Sequence, residues 1–411
     1  MSPFILPTKR PWQPLLDVAL RRRAKALFDE LCAHVRDSSP SSSSLAGSAG
    51  HALLWRYADL AWPGFGFAES CEAALDTAGR QLANEIGQPA LLAGFVGTAW
   101  VVQHLANGVD DPVADIDAAL VDYLTESPWS GDFDLCVGLA GIGLYSSFRL
   151  KTPNGRICLE RVVEHLESLA APRGSGFAWL SRPAHLPTST LARWPQGYYS
   201  YGVAHGAPAV ALVLAAAVAA DVGRARARPL VDGALRWIWA GYRGPSAPSA
   251  FDLFEQDDTV NVPARLAWCY GDAGIAATLH ATARALGDEA GAARALAVAR
   301  ASVGRPLDKT GVVDVGLCHG SAGLALLYAR LAHESGDPLL ADAARHWYAI
   351  LIGQYERGVA FDPARVAAGE NPAADHSLLT GSTGVALALL AGITAIEPEW
   401  DCLLAASLPR L

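Results

Sequence analysis

The chain has 411 residues, of which 51% are hydrophobic and 18% charged, with a formal net charge of −9. A core of that size is readily buried, so disorder is excluded for the bulk of the chain. The acidic balance argues against a nucleic-acid or anionic-membrane surface, because phosphate binding needs concentrated cations.

The N-terminal stretch has an apolar run of only Phe4-Ile5-Leu6, with Lys9 and Arg10 after it, and reads as no secretory signal. Residues 14–37 place apolar side chains at helical spacing opposite a charged face. Residues 38–44 (SSPSSSS) read as a flexible connector with no core-forming capacity. Gly47-Ser48-Ala49-Gly50 then opens a short apolar helix, and the same alternation recurs along the chain. Amphipathic segments near 70–86, 112–127, 157–171, 227–243, 288–303 and 337–357 each precede an apolar helix. Those helices are opened by Gly94 and Gly97, Gly138 and Gly141, Gly206 and Ala209, Gly271 and Gly274, Gly320 and Gly323, and Gly381 and Gly384. Only the fourth copy replaces its second glycine, with Ala209.

Seven copies in series change the expected architecture. Length alone suggests two or three domains at ~100–200 residues each. The repeats instead predict an all-α chain with one domain over 1–411. Seven apolar helices form an inner ring, and seven amphipathic helices pack outside with their charged faces in water. Each pair is expected to be an amphipathic helix followed by its apolar partner. The glycines are expected to relieve crowding where the inner helices begin, and to allow a positive-φ turn into each helix. Two long intervals predict rim insertions near 172–200 and 242–261, and Trp179 and Trp194 of the first are expected to contact a peptide. Residues 198–220 and 377–396 carry no formal charge. Their recurrence between charged helices favours burial inside protein over a membrane span.

The seven cysteines are odd in number and scattered, which speaks against a disulfide framework and for a reducing cytoplasm. Cysteine and histidine gather just before the glycines: His205-Gly206, Cys269-Tyr270-Gly271 and Cys318-His319-Gly320. If the loops converge, Cys269, Cys318 and His319 offer two thiolates and one imidazole. Three protein ligands with an open fourth position describe a catalytic zinc site. The competing reading is two buried cysteines and a hydrogen-bonded core histidine. The equivalent placement of all three in their repeats favours the metal.

The segments GVAHGAP, AWCYGDAG and GLCHGSAG resemble those of the lanthionine synthetase C-like family, and the likeness spans all seven repeats. The resemblance implies an α/α toroid with one zinc ion at its mouth. It implies addition of cysteine thiols to dehydroalanine or dehydrobutyrine in a dehydrated precursor peptide, giving thioether rings. By resemblance Cys269, Cys318 and His319 are the zinc ligands. His205 and Asp134 match the acid–base residues, and Arg265 and Tyr270 match active-site positions. Asp134 has a rival reading as a helix N-cap, Tyr270 as a packing residue and Arg265 as half of a structural ion pair.

The residue types suit that chemistry. A free thiol has a pKa of ~8.5 and yields little thiolate at neutral pH. Attack on the dehydroamino acid leaves an enolate that needs a proton and a stabilising donor. The chain reads as a stand-alone cyclase served by a separate dehydratase, with no transmembrane segment. Other readings are a relative that adds glutathione to dehydrated proteins, a protein prenyltransferase subunit, or a non-catalytic peptide-binding scaffold.

Overall fold

The computed structural model describes residues 11–85, 87–106, 111–255, 262–359 and 375–408. Outer helices are α1 (Val18–Asp37), α3 (Phe67–Leu82), α5 (Ala114–Tyr123), α7 (Pro153–Leu169), α10 (Arg224–Ala240), α12 (Glu289–Val303) and α14 (Pro338–Glu356). Their starts carry ordinary capping chemistry. Thr152 accepts from Gly155 N at 3.1 Å with Pro153 opening the helix, and Asp337 accepts from Leu339 N at 2.9 Å ahead of α14. Inner helices are α2 (Ser48–Ala61), α4 (Phe95–Leu105), α6 (Leu139–Phe148), α9 (Ala207–Ala219), α11 (Asp272–Leu286), α13 (Ser321–Ser335) and α15 (Ser382–Ile393). They lack a polar face: every residue of α9 from Ala207 to Val218 is buried.

The inner helices touch in the order α2, α4, α6, α9, α11, α13, α15 and back to α2, which closes the ring. The outer helix on each inner helix is mostly the one that follows it, as α3 on α2, α7 on α6, α10 on α9, α12 on α11 and α14 on α13. The expected order within a pair is therefore reversed. The reason is chain length: α13 and α14 are separated only by Gly336 and Asp337, so they must lie as an antiparallel hairpin. The first outer helix, α1, packs on the last inner helix, α15. Trp12 Nε1 donates to Ala391 O at 2.8 Å and Leu15 N to Gly392 O at 3.1 Å, so the two ends of the chain fasten the ring.

Long loops lead from each outer helix to the next inner helix, and they gather at one end. There they are bonded to one another. Leu92 N donates to Cys136 O, Leu135 N to Ala204 O, Ala204 N to Cys269 O, Cys269 N to Cys318 O, Cys318 N to Leu379 O and Leu378 N to Leu45 O, at 2.9–3.3 Å. Thr98 Oγ1, donating to Ser43 O at 3.0 Å, bridges the remaining junction. Ser43 and Ser44 are therefore buried parts of this loop ring. The serine-rich connector is ordered there because Glu85 accepts from both Ser43 N and Ser43 Oγ.

Each first glycine is the residue before its inner helix, and all seven have negative φ, from −102° to −164°. The expected positive-φ turn is absent from these seven positions. What glycine supplies is room. A Cβ on Gly97 would lie 1.9 Å from Leu91 O, and one on Gly384 would lie 1.8 Å from Leu378 O. The loop backbone crosses directly over the first turn of the inner helix.

The first insertion forms the hairpin β1–β2 (Ala171–Arg173, Gly176–Ala178), the strand β3 (Leu180–Ser181), the short helix α8 (Thr188–Arg193) and β4 (Tyr198–Ser200). Strand β5 (Phe254–Glu255), from the second insertion, joins β3 and β4 in an antiparallel sheet. Residues 256–261 of that insertion lie outside the described residues. The uncharged stretches contain α9 and α15, of 13 and 12 residues. No helix among the described residues is long and apolar enough to cross a membrane.

Gly97→Ala is expected to lower stability by about 1–3 kcal/mol, the range for overpacking a closed site. Gly79 lies exposed in α3 with no atom within 4 Å of an added Cβ, so Gly79→Ala is expected to stabilise by about 0.5–1 kcal/mol. Urea titration of both variants reads the contrast.

Candidate metal centre

None of the residues immediately before the seven loop glycines is fully buried. Ala46, Ala93 and Val137 are exposed, while His205, Tyr270, His319 and Thr380 are half-buried. One side of the mouth is thus small and apolar, and the other is polar. The residue one place earlier is cysteine in three loops: buried Cys269 and half-buried Cys136 and Cys318.

The sulfur atoms of Cys269 and Cys318 and a ring nitrogen of His319 all lie within 4.8 Å of one another. Two soft thiols and an imidazole are the donor set that suits zinc, and their closeness needs no backbone movement to surround one ion. The Cys318 thiol hydrogen-bonds to Cys269, and this bond holds Cys269 well below the ordinary thiol range despite its burial. His319 and the charge of Arg265 add to the effect. The same bond, with burial, pushes Cys318 up. The trio already favours one thiolate, the form that ligates metal.

His319 Nε2 lies 3.3 Å from Asp314 Oδ2, on a carboxylate that is only 2% exposed. This contact orients the imidazole. The sequence reading missed Asp314. Its signal was present in the repeats, since Asp132, Asp314 and Asp375 all stand six residues before a loop glycine. It also missed Trp268, which is fully buried beside Cys269. Trp268 Nε1 donates to Leu404 O at 2.6 Å, so the buried C-terminal turn Glu399–Leu404 supports the loop from inside the ring.

Asp134 and His205 come together. The carboxylate Oδ2 pairs with His205 Nδ1, and Oδ1 accepts from Val137 N at 2.8 Å. Asp134 is thus not an N-cap, the position held by Gly138, but it braces the same loop while holding the imidazole. Burial opposes the imidazolium, yet the hydrogen bond and charge of Asp134, with Asp132 behind it, raise the His205 pKa above its usual value. The side chain remains 39% exposed, so it is accessible from the mouth.

Tyr270 stacks on His205 with centroids 5.9 Å apart, and its hydroxyl is hydrogen-bonded to Tyr198. Burial raises its pKa, so it stays protonated and can donate. Arg265 is exposed at the edge of the group and also lines a cavity of about 660 Å³ with Arg305 and Lys309. Trp179 is not a rim contact. It is 1% exposed and donates to Leu166 O at 2.8 Å. Trp194 is half-buried, edge-on to Tyr198 and Phe254. Among the described residues, His333, Glu334 and Glu397 also cluster within 4.8 Å. Arg330 already balances that group, at 2.7 Å from Glu397 and 3.5 Å from Glu334.

A sequence model of the lanthionine synthetase C-like protein family matches residues 39–405. No curated protein matches the chain significantly. Among solved structures, a chain described as nisin cyclase superposes with a TM-score of 0.72 at 16% identity. The match covers 95% of this chain and 98% of that one, and the shared architecture is an α/α toroid.

Metal analysis is expected to return about one zinc per chain, with Cys318→Ala losing stoichiometric binding. Replacing Asp134 by Asn removes the charge that supports the His205 imidazolium, so His205 is expected to titrate at lower pH. An NMR titration of His205 that shows an unchanged midpoint contradicts the assigned pairing.

Proposed function

The chain belongs to the lanthionine synthetase C-like family, and we propose that it closes thioether rings in a dehydrated precursor peptide. In the reaction a peptide cysteine loses its thiol proton, and its sulfur bonds to the β-carbon of dehydroalanine or dehydrobutyrine. The double-bond electrons move toward the α-carbon and its carbonyl, and the α-carbon gains a proton. The product is an isomer of the substrate.

Cys269, Cys318 and His319 are the residues that would hold zinc. When bound, a zinc ion supplies the positive charge that favours the deprotonated form of an approaching thiol. Asp134 raises the His205 pKa and so favours its protonated form, which suits it to protonate the α-carbon. Asp134 holds the imidazole in one orientation and supports its charge. Tyr270 packs beside His205 with its hydroxyl engaged by Tyr198, and Arg265 contributes positive charge that suits a developing enolate oxygen. The exposed Ala46, Ala93 and Val137 leave room opposite for a peptide.

The observation that carries this reading is the meeting of the Cys269, Cys318 and His319 trio with the His205–Asp134 pair on one ring of loops. Incubation of the zinc-loaded chain with a dehydrated, cysteine-containing peptide tests it. Alkylatable thiol is expected to disappear at unchanged mass; persistent thiol rules the reading out. His205→Ala is expected to retain zinc and lose about 10²–10⁴-fold in turnover. Asp134→Asn is expected to move the alkaline limb of the turnover profile to lower pH, since His205 then loses its proton sooner.

A further inference from the structure

The loop that carries Asp134 bears a second carboxylate, and it faces a second histidine. His185 closes the short helical turn Pro183–His185 in the first rim insertion. Its Nδ1 lies 3.5 Å from Asp132 Oδ2, and the side chains are 24% and 20% exposed. That nitrogen is itself buried and has no hydrogen-bond partner. Asp132 Oδ1 is held by Phe133 N at 2.8 Å, which fixes the carboxylate.

The rim segment is pinned on both sides of the site. Ser181 Oγ donates to His205 O at 3.5 Å. Arg182 donates to the carbonyls of Ser130 and Gly131, immediately before Asp132. These anchors set His185 against Asp132, beside the His205–Asp134 pair. The titratable and charged groups around it are Asp132, Asp134 and His205 from the inner loops, Arg182 on its own segment, and Tyr198 on the neighbouring strand. Burial, then the charge of Asp134, raises the Asp132 pKa, while His185 and His205 act against that rise.

We propose that His185 and Asp132 form a second imidazole–carboxylate pair that exchanges protons with the substrate at the mouth. This rests on the ring-forming reaction proposed above. That reaction has two proton events, departure from the thiol and arrival at the α-carbon. His205 has one reactive nitrogen facing the mouth, because Asp134 occupies the other. A second pair lets one imidazole accept while the other donates. No covalent change in the protein is required, and the proton count balances within each turnover.

Two measurements on the zinc-loaded full chain test the pair. In a double-variant cycle, Asp132→Asn and His185→Asn are each expected to lose turnover to a similar extent, and the double variant no more than either alone; additive losses overturn the pairing. In the cyclisation assay, His185→Asn is expected to keep its zinc and lose about 10²-fold in turnover, with one limb of the pH profile gone. A merely structural His185 would leave the shape of that profile unchanged, and an active wild type with unaltered His185→Asn kinetics overturns the pair alone. A wild-type chain that closes no ring overturns the proposed function and the role of the pair together.

Discussion

The structure depends on one constraint: loop backbones lie directly on the first turns of the inner helices. At Gly97, Gly323 and Gly384 an added methyl would stand under 2 Å from a loop carbonyl. This close approach lets each loop reach its neighbour and hydrogen-bond to it, around the whole mouth. Without it, the inner helices would still pack through their apolar sides, but the loops would stand apart. The ring of loops is therefore the rigid platform that carries the candidate site, and the helices are its support.

The platform explains why residues distant in sequence share one site. Cys269 N donates to Cys318 O, so the two cysteines are adjacent rungs of one hydrogen-bonded circle. Leu135 N and Ala204 O join the Asp134 and His205 loops in the same way. Behind these rungs stand polar braces, with Asp314 on His319 and the backbone carbonyl of Leu404 accepting from Trp268. Such partners matter because imidazole and thiolate groups act only when orientation and charge state are fixed.

Much of this was legible because the repeats carry it. The alternation of charged and uncharged helices gave the two layers, and the shared offset of Cys269 and Cys318 from their glycines placed them together. Three matters were not legible. Helix pairing within a hairpin depends on turn length in space, which periodicity does not report. The backbone conformation of the glycines was misread, since a small residue serves close approach as well as positive φ. The burial of Trp179 and Ser43 depends on partners, Leu166 and Glu85, that no local pattern links to them. Asp314 and Asp132 were visible as a repeated offset, but their facing histidines, one of them on a rim insertion, required the fold.

The central claim is that Cys269, Cys318 and His319 form one thiolate-rich zinc site open to a substrate thiol. X-ray absorption of the zinc-loaded chain tests it most directly. The account predicts two sulfur scatterers near ~2.3 Å and at least one nitrogen, with a third sulfur on addition of a cysteine-containing dehydrated peptide. A zinc shell of nitrogen and oxygen alone, or one unchanged by the peptide, would contradict it.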